Sequence, residues 1–319
     1  MSEPHDESVV IRLGTRASAL ALAQAQLVAD GLRRAGATVD VVPMRTEGDR
    51  LGAARLGDLG GKGLFVRDIE AALAAGAIDV AVHSLKDLPA ELPAALELVA
   101  FPEREDPRDA LLTRDGSGLR ELPARAVVGT GSLRRRAFVL ALRPDVVVEP
   151  IRGNVDTRVR KLADGAWDAI ILAAAGLKRL RLEPAHATPL SVDMFVPAVG
   201  QGILGVEVRR DDRATRRLVE TLDHADTRAC AIAERAYLKR LGASCATPMA
   251  GHAVVSRTGH AARLSMTAVV VSEDGARLLR ANGAGAPDDA AALGRGLAES
   301  LLHQGAEAVT PLNPGRWAS

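Results

Sequence analysis

The chain has 319 residues, of which 47% are hydrophobic and 25% charged, with a formal net charge of +1. That is the balance of an ordinary soluble globular protein of two or three domains, and near-neutrality excludes bulk attraction to polyanions or to an anionic membrane. Aromatics at 2% leave too few rings for a base-stacking nucleic-acid surface, and two cysteines without zinc-ligand spacing predict neither a disulfide framework nor a metal.

The N-terminus, Met1 to Ser8, is polar and acidic, without the basic and apolar regions of an export signal, so a cytoplasmic location is expected. The run Ala169 to Ala175, the longest apolar one, falls short of the roughly 20 residues of a membrane span. Val9 to Leu13 predicts a strand, Gly14 to Ser18 a turn with Ser18 as N-cap, and Ala19 to about Ala35 a helix closed by Gly36. Val39 to Met44 predicts a second strand. Gly60-Gly61-Lys62-Gly63 opens a further helix with Phe65, Ile69 and Leu73 on one face; it lacks the spacing of a nucleotide P-loop. Ile78, Val80 and Val82 alternate as a strand ending in His83-Ser84-Leu85-Lys86-Asp87. Strand, helix, strand, helix, strand predicts a parallel α/β sheet, whose functional groups gather at the carboxyl ends of its strands, where Lys86 and Asp87 fall.

The grammar then repeats. Ala110 to Thr113 and Ala126 to Val128 are predicted strands, the second running into Gly129-Thr130-Gly131-Ser132-Leu133-Arg134-Arg135-Arg136, a glycine turn at a helix start and so a ready anion site. Val146 to Val148 is the next strand, followed by Arg152-Gly153-Asn154 and a helix bearing Arg158. Ala169 to Leu172 leads to Ala175-Gly176-Leu177-Lys178-Arg179. Phe195 to Gly202 has the Gly and Pro content of a crossing between domains, and Ile203 to Val208 is the strand beyond it. After a helix over Thr227 to Leu241, strands at 253–256, 262–271 and 276–279 and a helix from Asp288 to about His303 predict a small antiparallel sheet packed on helices. The predicted division is 1–103 with 203–222, then 104–202, then 223–319.

Between residues 130 and 182 stand eleven Lys or Arg against five Asp or Glu, and the arginines recur at strand-to-helix turns. Arginine's planar fork pairs bidentately with carboxylate or phosphate. Arg16, Arg134, Arg135, Arg152 and Arg158 together therefore predict a small polyanionic ligand. The loop Gly242 to Pro248 places Cys245 on a connection between helix and strand, where a thiol can be reached, whereas Cys230 falls within the helix pattern.

The runs Arg16 to Ala21, Gly61 to Phe65, His83 to Pro89, Gly131 to Arg135, Arg152 to Arg158, Leu172 to Leu180 and Gly200 to Gly202, in that order, resemble the porphobilinogen deaminase (hydroxymethylbilane synthase) family. The resemblance implies an α/β fold of two doubly wound type II periplasmic-binding-protein-like domains plus a small α+β C-terminal domain. It implies a transferase that joins four porphobilinogen units head to tail, with loss of ammonia, onto a covalent dipyrromethane cofactor, then releases the linear tetrapyrrole hydroxymethylbilane by hydrolysis. By motif match Cys245 carries the cofactor as a thioether and Asp87 is the catalytic carboxylate. Arg16, Ser18, Lys86, Ser132, Arg134, Arg135, Arg152 and Arg158 match positions that bind cofactor or substrate carboxylates. Ser84, Lys62, Phe65, Arg179 and Gln201 are lesser matches, Lys62 and Phe65 in a loop over the cleft. The family precedent is a monomer serving porphyrin and haem biosynthesis. Ser244 stands where many relatives have a glycine. The competing reading is a non-enzymatic solute-binding protein for a multivalent acid, which shares the strand and helix grammar and needs no covalent primer.

Overall fold

The structure, a computed structural model, describes residues 10–45, 64–243 (side chains from Val66), 247–259 and 261–312. The first half of the chain forms β1 (Val10–Arg16), α1 (Ala19–Arg34), β2 (Thr38–Met44), α2 (Leu64–Ala74), β3 (Val80–Ser84), β4 (Leu96–Ala100), β5 (Asp109–Thr113), β6 (Val127–Gly129), α3 (Leu133–Leu142) and β7 (Val147–Glu149). There follow α4 (Val155–Ala163), β8 (Ala169–Ala173), α5 (Ala174–Arg179), β9 (Ala187–Pro189), β10 (Leu204–Arg209), α6 (Arg213–Glu220), α7 (Ala225–Leu241), β11 (Met249–Thr258), β12 (Ala261–Val271), β13 (Leu278–Gly285) and α8 (Ala290–His303).

These elements form two compact units. The first takes the chain up to His83, Leu92–Pro102 and Leu204–His224. Its five-stranded sheet has the order β2-β1-β3-β10-β4, with β1 parallel to β2 and β3 and β10 antiparallel to β4. β3 sits at the centre with Val80 to His83 all buried, so both faces are covered where the alternation of Ile78, Val80 and Val82 predicted one. Ser18 caps α1 by accepting from the Ala21 amide at 3.3 Å. The helix then buries Ala25, Val28, Ala29 and Leu32, spaced as one face, against Ile11, Leu13, Val206 and Val208.

The second unit takes Ser84–Glu91, Glu103–Ile203 and the chain from Ala225 onward. Its larger sheet runs β7-β6-β8-β5-β9, with β6 parallel to β7 and β8 and β5 antiparallel to β8 and β9. This is the strand order of the first sheet again: three parallel strands with the first encoded lying between the second and third, and a strand from outside that run beside the third. Strands β11, β12 and β13 form a separate antiparallel sheet. Behind it α7 and α8 pack so closely that a Cβ on Gly294 would lie 2.0 Å from the Ala233 carbonyl oxygen. Two α/β sheets of like strand order and a small α+β part make up the expected α/β architecture.

Among the described residues the structure adds two strands and one α-helix to the expected ones. β4 and β9 are short, and α6 (Arg-Ala-Thr-Arg-Arg-Leu-Val-Glu) is too charged to show an apolar stripe; Asp212 starts it by accepting from the Thr215 amide. β13 begins at Leu278 and extends to Gly285, beyond the expected 276–279; pairing to β12 along its whole length holds Asn282 and Gly283 extended.

Candidate active site

The β3 strand ends at Ser84, and Leu85–Asp87 turn once as a 3-10 helix in which Leu85 is buried and Lys86 and Asp87 are half-buried. Two contacts fix this turn within the second unit. The Leu85 amide donates to the Ile203 carbonyl at 3.0 Å, and Arg235 on α7 donates to the Ala90 carbonyl at 3.1 Å. Gly200 has φ +73°, and a Cβ there would meet the Lys86 nitrogen at 2.9 Å; Gly202, at φ +86°, would bring one to 2.3 Å from the Glu105 carbonyl oxygen. Only glycine permits both the left-handed backbone and the approach, so the Gly200-Gln201-Gly202 turn wedges between residues 85–86 and 104–105.

That wedge places Gln201, 1% exposed, between two charged groups. Its Oε1 accepts from Lys86 Nζ at 3.4 Å. Its Nε2 donates to the Pro107 carbonyl at 2.7 Å and to Asp109 Oδ1 at 3.1 Å. Asp109, fully buried at the start of β5, also receives Arg134 Nη2 on Oδ2 at 2.7 Å and Arg135 Nε on Oδ1 at 2.8 Å. The remaining forks end on backbone: Arg134 Nη1 on the Val196 carbonyl at 2.7 Å and Arg135 Nη1 on the Ile171 carbonyl at 2.9 Å. Arg134 also lies 5.7 Å above the Phe195 ring. Burial works to raise the Asp109 carboxyl, but Arg134 and Arg135 outweigh it and hold it below the usual carboxylate range, so it is an anion.

Ser132 caps α3, its hydroxyl accepting from the Arg135 amide at 3.4 Å. Arg152 is exposed, and Arg158, half-buried on α4, donates Nε to the Gly153 carbonyl at 2.8 Å. Burial lowers the Arg158 guanidinium, and its charged neighbour Arg135 lowers it further. Arg179 donates to the Gly202 carbonyl at 2.7 Å and is pushed down to about 10 by burial, against which Glu105 acts.

The structure thus brings Lys86, Arg134, Arg135 and Gln201 into one hydrogen-bonded network, with Arg158 electrostatically coupled to it through Arg135. Arg134 and Arg135 are 4% and 6% exposed, so much of their donor capacity is spent inside the protein. Arg16, half-buried at the end of β1, and the cap Ser18 lie in the first unit. Lys62, the side chain of Phe65, and Cys245 lie outside the described residues.

Sequence reasoning missed Asp109 and a second buried pair, Arg104 and Glu234. Arg104 Nη1 donates to Glu234 Oε1 at 2.7 Å, and Glu234, fully buried, also accepts from the Gly200 amide at 2.6 Å and the Ala253 amide at 2.8 Å. The available signal for Asp109 was an acid opening an otherwise apolar strand, Asp-Ala-Leu-Leu-Thr, which needs a buried cation.

Two α/β sheets of like strand order, with a buried cluster of arginines around one acid in the second unit, define the class as a mixed α/β protein with a cationic core site. The family model described as "Porphobilinogen deaminase, dipyromethane cofactor binding domain" matches residues 11–217, and "Porphobilinogen deaminase, C-terminal domain" matches residues 228–303. The chain belongs to the porphobilinogen deaminase family. It is 46% identical to the porphobilinogen deaminase of Syntrophotalea carbinolica, over 96% of this chain and 99% of that one. It is 47% identical to that of Brevibacillus brevis, over 92% and 94% respectively. A solved structure similar in fold, the methionine binding protein MetQ, is 15% identical, with 67% of this chain and 89% of that one covered and a TM-score of 0.43.

Proposed function

We propose that this chain is a hydroxymethylbilane-forming transferase of porphyrin biosynthesis, joining four porphobilinogen units head to tail with loss of ammonia and releasing the linear tetrapyrrole by hydrolysis. The carrying observation is the family match over nearly the whole chain. The fully buried Asp109 hub beneath a cluster of cations supports it. A solute-binding protein for a multivalent acid is not favoured.

The donor set fits the dipyrromethane that the family model names, because each of its rings carries an acetate and a propionate and the site offers planar forks and an ammonium. When bound, that group supplies the free pyrrole carbon onto which the first unit is joined. Cys245 is its covalent attachment point in this proposal. In the second unit Lys86, Ser132, Arg152 and Arg158 hold carboxylates of cofactor or substrate, and Arg16 and Ser18 are assigned carboxylate binding in the first unit. Arg134 and Arg135 serve with the donors that Asp109 leaves them, and Ser84, Arg179, Gln201, Lys62 and Phe65 play supporting parts. Asp87, on a turn fixed by the Gly200 wedge, stabilises the positive charge that develops on porphobilinogen as ammonia departs and takes the proton released by the attacked ring.

The three-part division at 1–103 with 203–222, 104–202 and 223–319 is supported by the three sheets and by the separate family model from residue 228. No described helix is long and apolar enough to cross a membrane, and we take the protein to act as a cytoplasmic monomer. Intact mass tests the reading. Purified protein is expected to exceed its sequence mass by one dipyrrole unit, and Cys245→Ser to remove the excess. A fully active wild type at sequence mass would overturn the reading.

A further inference from the structure

Asp109 touches four of the residues just assigned, three directly and one through a relay, yet it has no part in the chemistry described. It opens β5, where its backbone pairs with Ala173 of β8 and its carbonyl accepts from the Leu190 amide at 2.7 Å. The carboxylate therefore stands at the start of a strand that is paired on both sides, not on a loop. We propose that Asp109 is a positioning residue of the polypyrrole site, one buried anion that sets the direction of the Arg134 and Arg135 forks and, through Gln201, the place of the Lys86 ammonium. The proposal rests on the reading of those residues as carboxylate donors.

The geometry argues this in three steps. Two guanidiniums on adjacent residues, both almost completely buried, repel each other; an acid between them cancels one charge and leaves the pair with one net positive charge for the ligand. Arg135 engages Asp109 Oδ1 through both Nε, at 2.8 Å, and Nη2, at 2.7 Å, while Arg134 engages Oδ2 through Nη2. Each oxygen thus has its own arginine, and neither fork can rotate without breaking a charge-assisted bond. Gln201 cannot turn its amide over, because its Nε2 is claimed by the Pro107 carbonyl and Asp109, which leaves Oε1 facing Lys86. The order runs from a strand-borne acid through the one amide plane of Gln201 to the flexible lysine.

The test is steady-state kinetics on folded Asp109→Asn and Asp109→Glu, at a temperature well below each variant's unfolding midpoint. Asparagine keeps the shape and loses the charge; kcat/KM for porphobilinogen is expected to fall on the order of 10²-fold, mainly through KM, and glutamate to restore part of it. A merely structural Asp109 predicts a lowered unfolding midpoint with native kinetics in the folded fraction, and that result overturns the proposal. If Asp109→Asn does not accumulate folded, Gln201→Leu is compared in the wild type and in Lys86→Met. An effect on KM that vanishes in the Lys86→Met background supports the relay, and an effect that persists unchanged, or none at all, overturns it. Wild type that makes no bilane strikes the proposed function, whereas an active wild type with an equally active Asp109→Asn strikes only the role of Asp109.

Discussion

At the scale of the residue, two carboxylates lead to measurements of different kinds. Asp87 lies on a short turn whose neighbours are fixed by backbone bonds, so Asp87→Ala removes a charge without unseating the turn. Turnover is expected to fall by at least about 10²-fold while the arginine site still takes up anions, and a near-normal rate would rule out its role. Glu70, on α2 and 7% exposed, is raised to about 7, first by burial and then by Glu207, with His83 and Arg67 acting in the other direction. Glu207 is itself fully buried, with Oε2 3.2 Å from His83 Nε2. A carboxyl whose folded value lies above its ordinary one binds its proton more tightly when folded. The stability it contributes is complete below about 4.5 and is lost as pH rises through about 7. Glu70→Gln should abolish this slope: the unfolding free energy of wild type, taken from urea titrations between pH 5 and pH 8, should drop by an amount on the order of 2 kcal/mol relative to the variant. Parallel curves would remove Glu70 as the cause.

At the scale of the element, the glycine wedge makes the sharpest prediction. Gly202→Ala meets both a left-handed backbone and a carbonyl oxygen 2.3 Å away, whereas Gly36, at φ +95°, has nothing within 4 Å of a built Cβ. Gly36→Ala should therefore cost about 1 kcal/mol, and Gly202→Ala at least about 2–3 kcal/mol together with a raised KM, since Gln201 rides on the same turn; urea unfolding and kinetics separate the two. Apart from β4 and β9, the strands of the two larger sheets were legible because buried parallel strands are short apolar runs between turn residues, as Ala169 to Ala173 is. Gly200 and Gly202 were legible as a motif, but the carbonyl and amide that demand them were not. Asp109 and Glu234 stayed hidden because their cations stand 25, 26 and 130 residues away along the chain. Glu234 in particular sits mid-helix, where an acid ordinarily faces water, and instead gathers the Gly200 amide, the Ala253 amide and Arg104. No local spacing encodes a partnership of that length.

At the scale of the whole molecule, the sheets of both units repeat one strand pattern, but the chain visits them unequally. The second unit's larger sheet, β5 to β9, is written in one continuous stretch. The first unit's sheet is not: β10 lies between β3 and β4, although it is encoded more than a hundred residues after β4. A chain emerging from the ribosome therefore presents Val80–Ser84 and Leu96–Ala100 as two open strand edges while the whole of the next sheet is still being made. At roughly 5–20 residues per second, those edges wait about 5–20 s for the strand that joins them. Unpaired apolar edges are templates for association with other chains. The interval before Arg209 emerges is thus when the nascent protein most needs shielding, and a ribosome that stalls there leaves the first sheet without its fourth strand.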